Sequence, residues 1–200
     1  DALVNVDLNT REIKPNHTAL NIVRIGTSGS LQADIPVDSW VMSKYAIGLD
    51  NMLRSYLIEE HSVAELEDAF IAQTNWDLRK GRPTVVPCAE ALENKIYSDK
   101  FHKGFTGTAG GFYGPQGRVV RLNIQDPQLN SKMDAFNYNG TRMTNLEMET
   151  SAIYGLGKLL GHNCLSLNAI IANRAVGEFS SKPEETVNEL IKYTLDKLVG

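Results

Sequence analysis

The run LSLNAIIA, residues 165–172, decides how the rest of the chain is read. It is mostly apolar and bounded by polar residues, as expected of a central strand covered on both faces. Upstream, Thr150 to Leu160 reads as a helix whose Ala152, Gly155 and Gly157 allow close packing. Downstream, Ser181 and Glu184 form an S-x-x-E capping box with Pro183 in the first turn. Val187, Leu190, Ile191, Thr194, Leu195 and Leu198 then mark an amphipathic helix. Ala19 to Ile25 predicts a strand running into the loop GTSGS, and Trp40 to Ser43 a second short strand. A further box, Ser62 with Glu65, opens a helix to about Leu78. Thr84 to Pro87, His102 to Thr108, Val119 to Leu122 and Met143 to Met148 read as extended, and Ala89 to Tyr97 and Leu129 to Phe136 as helical. Helices alternating with strands predict a three-layer α/β/α fold with a central mixed sheet, one domain over residues 1–200.

Composition narrows the function classes. The 200 residues hold 20 basic and 24 acidic side chains, a net charge of -4, so no general cationic field awaits a nucleic-acid backbone or an anionic membrane. With 42% apolar residues a buried core is within reach. Cys88 and Cys164 make neither a disulfide framework nor a zinc quartet, which favours a reducing compartment. No apolar run is long enough to span a bilayer, and no cationic leader precedes an apolar segment, so the expected location is cytoplasmic. The chain opens on Asp1 with a stretch that is neither a clean strand nor an evident tag; the expectation is a processed or excised chain.

Four stretches carry chemistry. In RIGTSGS, 24–30, Arg24 ends an apolar strand, two glycines allow backbone amides to converge, and three hydroxyls follow. Fixed donors beside a permanent cation suit a phosphate or another small oxyanion; a tight turn with Arg24 paired to a structural carboxylate is the plainer alternative. The stretch GFTGTAGGFYGPQGR, 104–118, has six glycines in fifteen residues. Phe112 offers an aromatic face, and Gln116 and Arg118 offer a planar amide and a planar guanidinium suited to a flat heterocycle edge. Otherwise it is a surface hairpin with a solvated arginine. In NLEMET, 145–150, Glu147 and Glu149 point to one side in extended backbone and suit vicinal hydroxyls, acid–base work or a metal. With no histidine nearby in sequence a metal is not expected, and a solvated helix start is the alternative. Finally, Asn173-Arg174 leaves the apolar strand, either as a structural grip or beside a ligand.

In this order, VRIGTSGS (23–30), GGFYGPQGR (110–118), NLEMETSA (145–152) and NAIIANR (168–174) resemble the nucleoside phosphorylases of the purine/uridine phosphorylase superfamily, and its uridine-specific members above all. The resemblance implies a nucleoside phosphorylase-like fold and reversible phosphorolysis of uridine to uracil and ribose 1-phosphate. It places Arg24 and Thr27 on phosphate, with Thr27 also facing ribose. Phe112, Gln116, Arg118 and Ile171 fall on the base, and Glu147, Met148 and Glu149 on ribose. Arg24, Thr27, Arg118 and Glu149 are the implied catalytic set. Asn173 stands where purine-specific members carry an aspartate, which favours a pyrimidine. Inorganic phosphate is a co-substrate and no organic cofactor is implied; some relatives hold a monovalent cation between subunits. The implied assembly is a homodimer or hexamer. Nothing here matches the family's leading segment with its G-D-P-x-R phosphate motif, so the first strands are expected elsewhere, on another chain or cut away. The isolated segment is then expected to be inactive. The alternatives are a purine phosphorylase or a nucleosidase of the same fold, or a catalytically silent nucleoside-binding protein.

Overall fold

A computed structural model describes residues 1–200. The chain runs α1 (Ala2–Asn5), β1 (Asn21–Ser30), β2 (Trp40–Gly48), α2 (Ala64–Thr74), β3 (Thr84–Pro87), α3 (Glu90–Ile96) and β4 (Phe101–Thr108). It continues α4 (Leu129–Ala135), β5 (Asn137–Tyr138), β6 (Thr141–Glu147), α5 (Thr150–Leu159), β7 (Asn163–Asn173), β8 (Glu178–Phe179) and α6 (Pro183–Val199). The strands make one mixed sheet in the order β3-β2-β4-β6-β1-β7-β8, with β5 paired to β6. β1–β7, β2–β4 and β4–β6 are parallel; β1–β6 and β2–β3 are antiparallel. A further antiparallel pairing, Trp40 to Met42 of β2 with Leu167 to Ala169 of β7, bends the sheet back on itself. β2, β4, β6, β1 and β7 therefore form a closed circuit.

The two outer layers follow from which residues the strands turn outward. One core joins Met42, Leu165, Leu167 and Ala169 to Leu92 and Ile96 of α3, Tyr154 of α5 and Leu190 of α6. The other joins Ile47, Phe105, Met143 and Leu146 to Leu66 and Phe70 of α2 and Met133 of α4. This is the predicted α/β arrangement of helices on a central mixed sheet. Gly157 is needed in α5, because a Cβ there would stand 2.2 Å from Cys164 Sγ. No helix is long and apolar enough to cross a membrane.

Several boundaries differ from expectation. β1 does not stop at a loop: Gly26 to Ser30 stay in the strand, paired with Asn168 to Asn173. The glycines thus give close approach within a strand. β2 continues past Ser43 to Gly48 because an irregularity between Ser43 and Tyr45 carries it along β4. Neither capping box forms: Val63 and Lys182 are the N-cap residues, and neither makes a side-chain cap bond. α2 ends before Leu78, where Asn75 takes a left-handed φ of 48°. Val119 to Leu122 is irregular, and Val119, Val120 and Leu122 are exposed. Ile191 and Leu195 lie towards solvent, while Thr186, Leu190 and Thr194 are the buried face of α6. Cys88 is buried. Its thiol is pushed up to about 12, first by burial and then by Glu93, so it is no nucleophile.

Candidate active site

Strand register brings the first group together. Antiparallel pairing sets Leu146 of β6 opposite Gly29 of β1, so the chain beyond Leu146 runs back towards Arg24. Glu147 ends β6 and Glu149 is the N-cap of α5. Both carboxylates meet the same nitrogen: Arg24 Nη2 lies 2.5 Å from Glu149 Oε2 and 3.5 Å from Glu147 Oε2. Nη1 of Arg24 donates to Asn168 Oδ1 at 2.9 Å and to Ser166 Oγ at 3.3 Å, both from β7. Gly26 makes room for this guanidinium, since a Cβ there would stand 2.5 Å from it.

The two glutamates have different work. Glu147 is buried, with 2% of its side chain exposed, against 54% for Glu149. Oε2 of Glu147 accepts the backbone N–H groups of Glu149 and Thr150, each at 2.8 Å, and Oε1 accepts Thr108 Oγ1–H at 2.6 Å. It thereby satisfies two unpaired donors at the start of α5. Burial pushes its carboxyl above the usual range, against the hydrogen bonds and Arg24, which pull the other way. Glu149 is the carboxylate left open to a ligand. Met148 between them is partly exposed.

The second group gathers on the 110–118 loop and the end of β7. Gln116 is buried, and its Oε1 accepts Nη1 of Arg118 at 2.8 Å. The same oxygen accepts Nη2 of Arg174, and Nη1 of Arg174 reaches the Gln116 carbonyl at 3.2 Å. With the oxygen held by two cations, the amide NH₂ of Gln116 is the donor left for a ligand. Arg118 also donates to the Phe112 carbonyl and lies over the Phe112 ring at 3.7 Å from its centroid. Arg118 thus lies on one face of the Phe112 ring, which stays 52% exposed. Burial and then Arg118 push Arg174 down to about 10, and burial lowers Arg118. Arg174, which leaves the apolar strand, is here a grip on Gln116.

Register explains the remaining residues. β1–β7 pairing steps from Ser28↔Ile170 to Gly29↔Ala172, so Ile171 is the unpaired residue of a bulge. Thr27 is exposed and three residues from Arg24, on the opposite parity of β1. Asn173 is fully committed: Nδ2 donates to the carbonyls of Gln32 and Ile35, and Oδ1 accepts the N–H groups of Ala175 and Val176. Discrimination by Asn173 therefore has no free atom behind it, and the pyrimidine argument falls on Gln116 and Arg118.

The two groups are neighbours on β1. Gly26 lies under Arg24, and Gly29, three residues on, lies under Arg174 with its Cβ position 3.1 Å from Nε. No hydrogen bond or ion pair joins them. A cavity of about 900 Å³ takes in Arg118, Tyr113, Trp76 and Arg121 but not Arg24, Gln116, Glu147 or Glu149. The expected residues therefore fall into two groups set along β1, one at Gly26 and one at Gly29. Ser166 and Asn168, which hold Arg24, were missed within the apolar run; their signal was two polar residues at strand spacing. No three His, Cys, Asp or Glu side chains are grouped to hold a metal ion.

A mixed sheet that carries a carboxylate-bound arginine and an arginine-clamped glutamine defines an α/β protein with two grouped sets of polar and charged side chains. The phosphorylase superfamily pattern matches residues 4–198, and the chain belongs to that family. It is 27% identical over 170 residues to a uridine phosphorylase of Thermococcus kodakarensis, covering 82% of this chain and 52% of that protein. It is 26% identical over 192 residues to a DeoD-type purine nucleoside phosphorylase of Tolumonas auensis, covering 95% of this chain and 68% of that protein. The chain thus spans about half the length of the archaeal relative. Among solved structures it is similar in fold to a Trypanosoma brucei nucleoside phosphorylase described as showing uridine phosphorylase activity, with TM-score 0.84 and 24% identity. That match covers 99% of this chain and 73% of the other. A uridine phosphorylase of Phytophthora capsici aligns with TM-score 0.55 and 19% identity, covering 92% of this chain and 67% of the other.

Proposed function

We propose that the protein carrying this chain is a nucleoside phosphorylase, and that its substrate is uridine. The observation that carries the reading is the clamped amide of Gln116, held by Arg118 and Arg174 with its NH₂ free. That arrangement presents a fixed donor and a permanent cation to the carbonyl edge of a pyrimidine. As the glycosidic bond breaks, negative charge grows on the departing base, and Arg118 is in place to stabilise it without reorganisation. Glu149 fixes the ribose by its vicinal hydroxyls. In moving onto the sugar it releases Nη2 of Arg24, which then takes the phosphate for attack at the anomeric carbon. Phosphate adds to that carbon, the C–N bond breaks, and the base leaves as its anion. Nucleoside and phosphate therefore assist each other's binding.

The test is ultraviolet loss of uridine by the intact protein, with and without phosphate. Turnover that requires phosphate supports the reading; none with any pyrimidine nucleoside rejects it. A purine nucleoside is the second reading, favoured by the longer match to the DeoD-type relative. Inosine cleavage faster than uridine cleavage selects it. Arg118→Ala is expected to raise KM for uridine about 10–100-fold and leave KM for phosphate within about twofold. Equal effects on both overturn the role given to Arg118. We further propose a homodimer as the smallest complete unit, and a cytoplasmic setting in which the two free cysteines stay reduced.

A further inference from the structure

The closed part of the sheet contains a girdle of polar side chains that the reaction scheme leaves unused. Nδ2 of Asn168, on β7, donates to Ser43 Oγ on β2 at 3.3 Å. Ser43 Oγ and Thr106 Oγ1, on β4, are 2.6 Å apart. Thr106 Oγ1 donates to Asn145 Oδ1, on β6, at 2.8 Å, and Asn145 Nδ2 donates to Ser28 Oγ, on β1, at 2.8 Å. Arg24, also on β1, meets Asn168 Oδ1 and so nearly closes the ring. The alternate residues Met42, Phe105, Leu146, Leu167 and Ala169 belong to the two outer cores. The girdle residues must therefore point inward. Ser43, Thr106, Asn145 and Asn168 are fully buried.

The bonds have one direction. Thr106 spends its proton on Asn145, so Ser43 must donate to Thr106 and accept from Asn168. That commits the NH₂ of Asn168 to Ser43 and turns its carbonyl oxygen to Arg24. The amide cannot flip without breaking two buried bonds, each expensive to leave unmade. Only one member of the girdle is charged, and it is the one that meets Glu149 at the ligand-facing end.

We propose that Asn168 is a positioning residue: the girdle fixes its amide, and the amide fixes the guanidinium plane of Arg24 before an oxyanion arrives. This rests on the phosphorolysis reading for its kinetic consequence but not for its geometry, so it is tested twice. In the nitrogen NMR spectrum of the chain, Arg24 Nη1 and Nη2 are expected to stay separately resolved in the unsubstituted protein and in Asn168→Asp, which keeps the acceptor. In Asn168→Ala they are expected to merge through faster rotation. Resolved signals in Asn168→Ala overturn the proposal. In steady-state assays of the intact protein, Asn168→Ala is expected to raise KM for phosphate about tenfold, with KM for the nucleoside within about twofold. A purely structural residue would lower the active fraction and leave both KM values alone, and that result also overturns the proposal. If the unsubstituted protein shows no phosphate-dependent turnover, the functional reading fails and the NMR comparison still decides the positioning role.

Discussion

Replacing Arg24 by alanine is expected to lower kcat/KM for phosphorolysis by on the order of 10²–10³-fold, as for the loss of a preorganised oxyanion donor. Arg24 is the only cation within ion-pair distance of Glu147 and Glu149. Its removal takes away the charge that would meet phosphate and leaves two carboxylates at that place, which repel the same anion. Most of the loss should therefore appear as weaker phosphate dependence, measured by varying phosphate at saturating nucleoside. Arg24→Lys restores the charge but not the planar fork that reaches Glu149 on one side and Asn168 on the other, so it should recover only part of the rate. Full activity in Arg24→Lys would mean that charge alone matters. Full activity in Arg24→Ala would remove the residue from the mechanism.

The second large effect is on stability. Glu147→Leu is expected to cost about 3–5 kcal/mol in denaturant unfolding, from three donors left without their acceptor at roughly 1–3 kcal/mol each. The leucine fills similar space but leaves the N–H groups of Glu149 and Thr150 and the Thr108 hydroxyl without their acceptor. Glu147→Gln keeps an acceptor for part of that set and should cost roughly 1–2 kcal/mol at acid pH. The difference between the two variants separates the cap from the charge. Because burial raises the Glu147 carboxyl above its unfolded value, its contribution is complete below about pH 4 and declines as pH rises through the folded value. The advantage of the native protein over Glu147→Gln should therefore narrow between acid and neutral pH. A gap that widens with pH would show that the ion pair with Arg24 outweighs burial. Equal stability of Glu147→Leu and the native protein would remove Glu147 as the cap of α5.

The α/β class was legible because alternation of apolar runs with helical spacing survives in sequence, and the four quoted motifs marked most of the candidate site residues. Boundaries were less legible. GTSGS has the composition of a turn, yet β7 along its length and β6 at Gly29 and Ser30 keep it extended, and only its neighbours in the sheet supply those partners. The two S-x-x-E boxes failed because Val63 and Lys182, not the serines, fall at the N-cap once the flanking chain is docked. Ile191 and Leu195 continue the helical spacing of α6, but the buried stripe passes through Thr186, Leu190 and Thr194 instead.

The sequence by itself determined the layered α/β class, the absence of a general cationic surface and the residue types suited to an oxyanion, a diol and a flat polar edge. These are local or additive properties, written in spacing and composition. Tertiary structure alone decided that Glu147 caps a helix while Glu149 stays open, that Arg118 lies over one face of Phe112, and that Asn168 grips Arg24. The last depends on register between β1 and β7, strands far apart in the chain, where a one-residue slip would turn the side chains to the other face. The first two depend on how the chain turns after β6 and β4, which composition does not show.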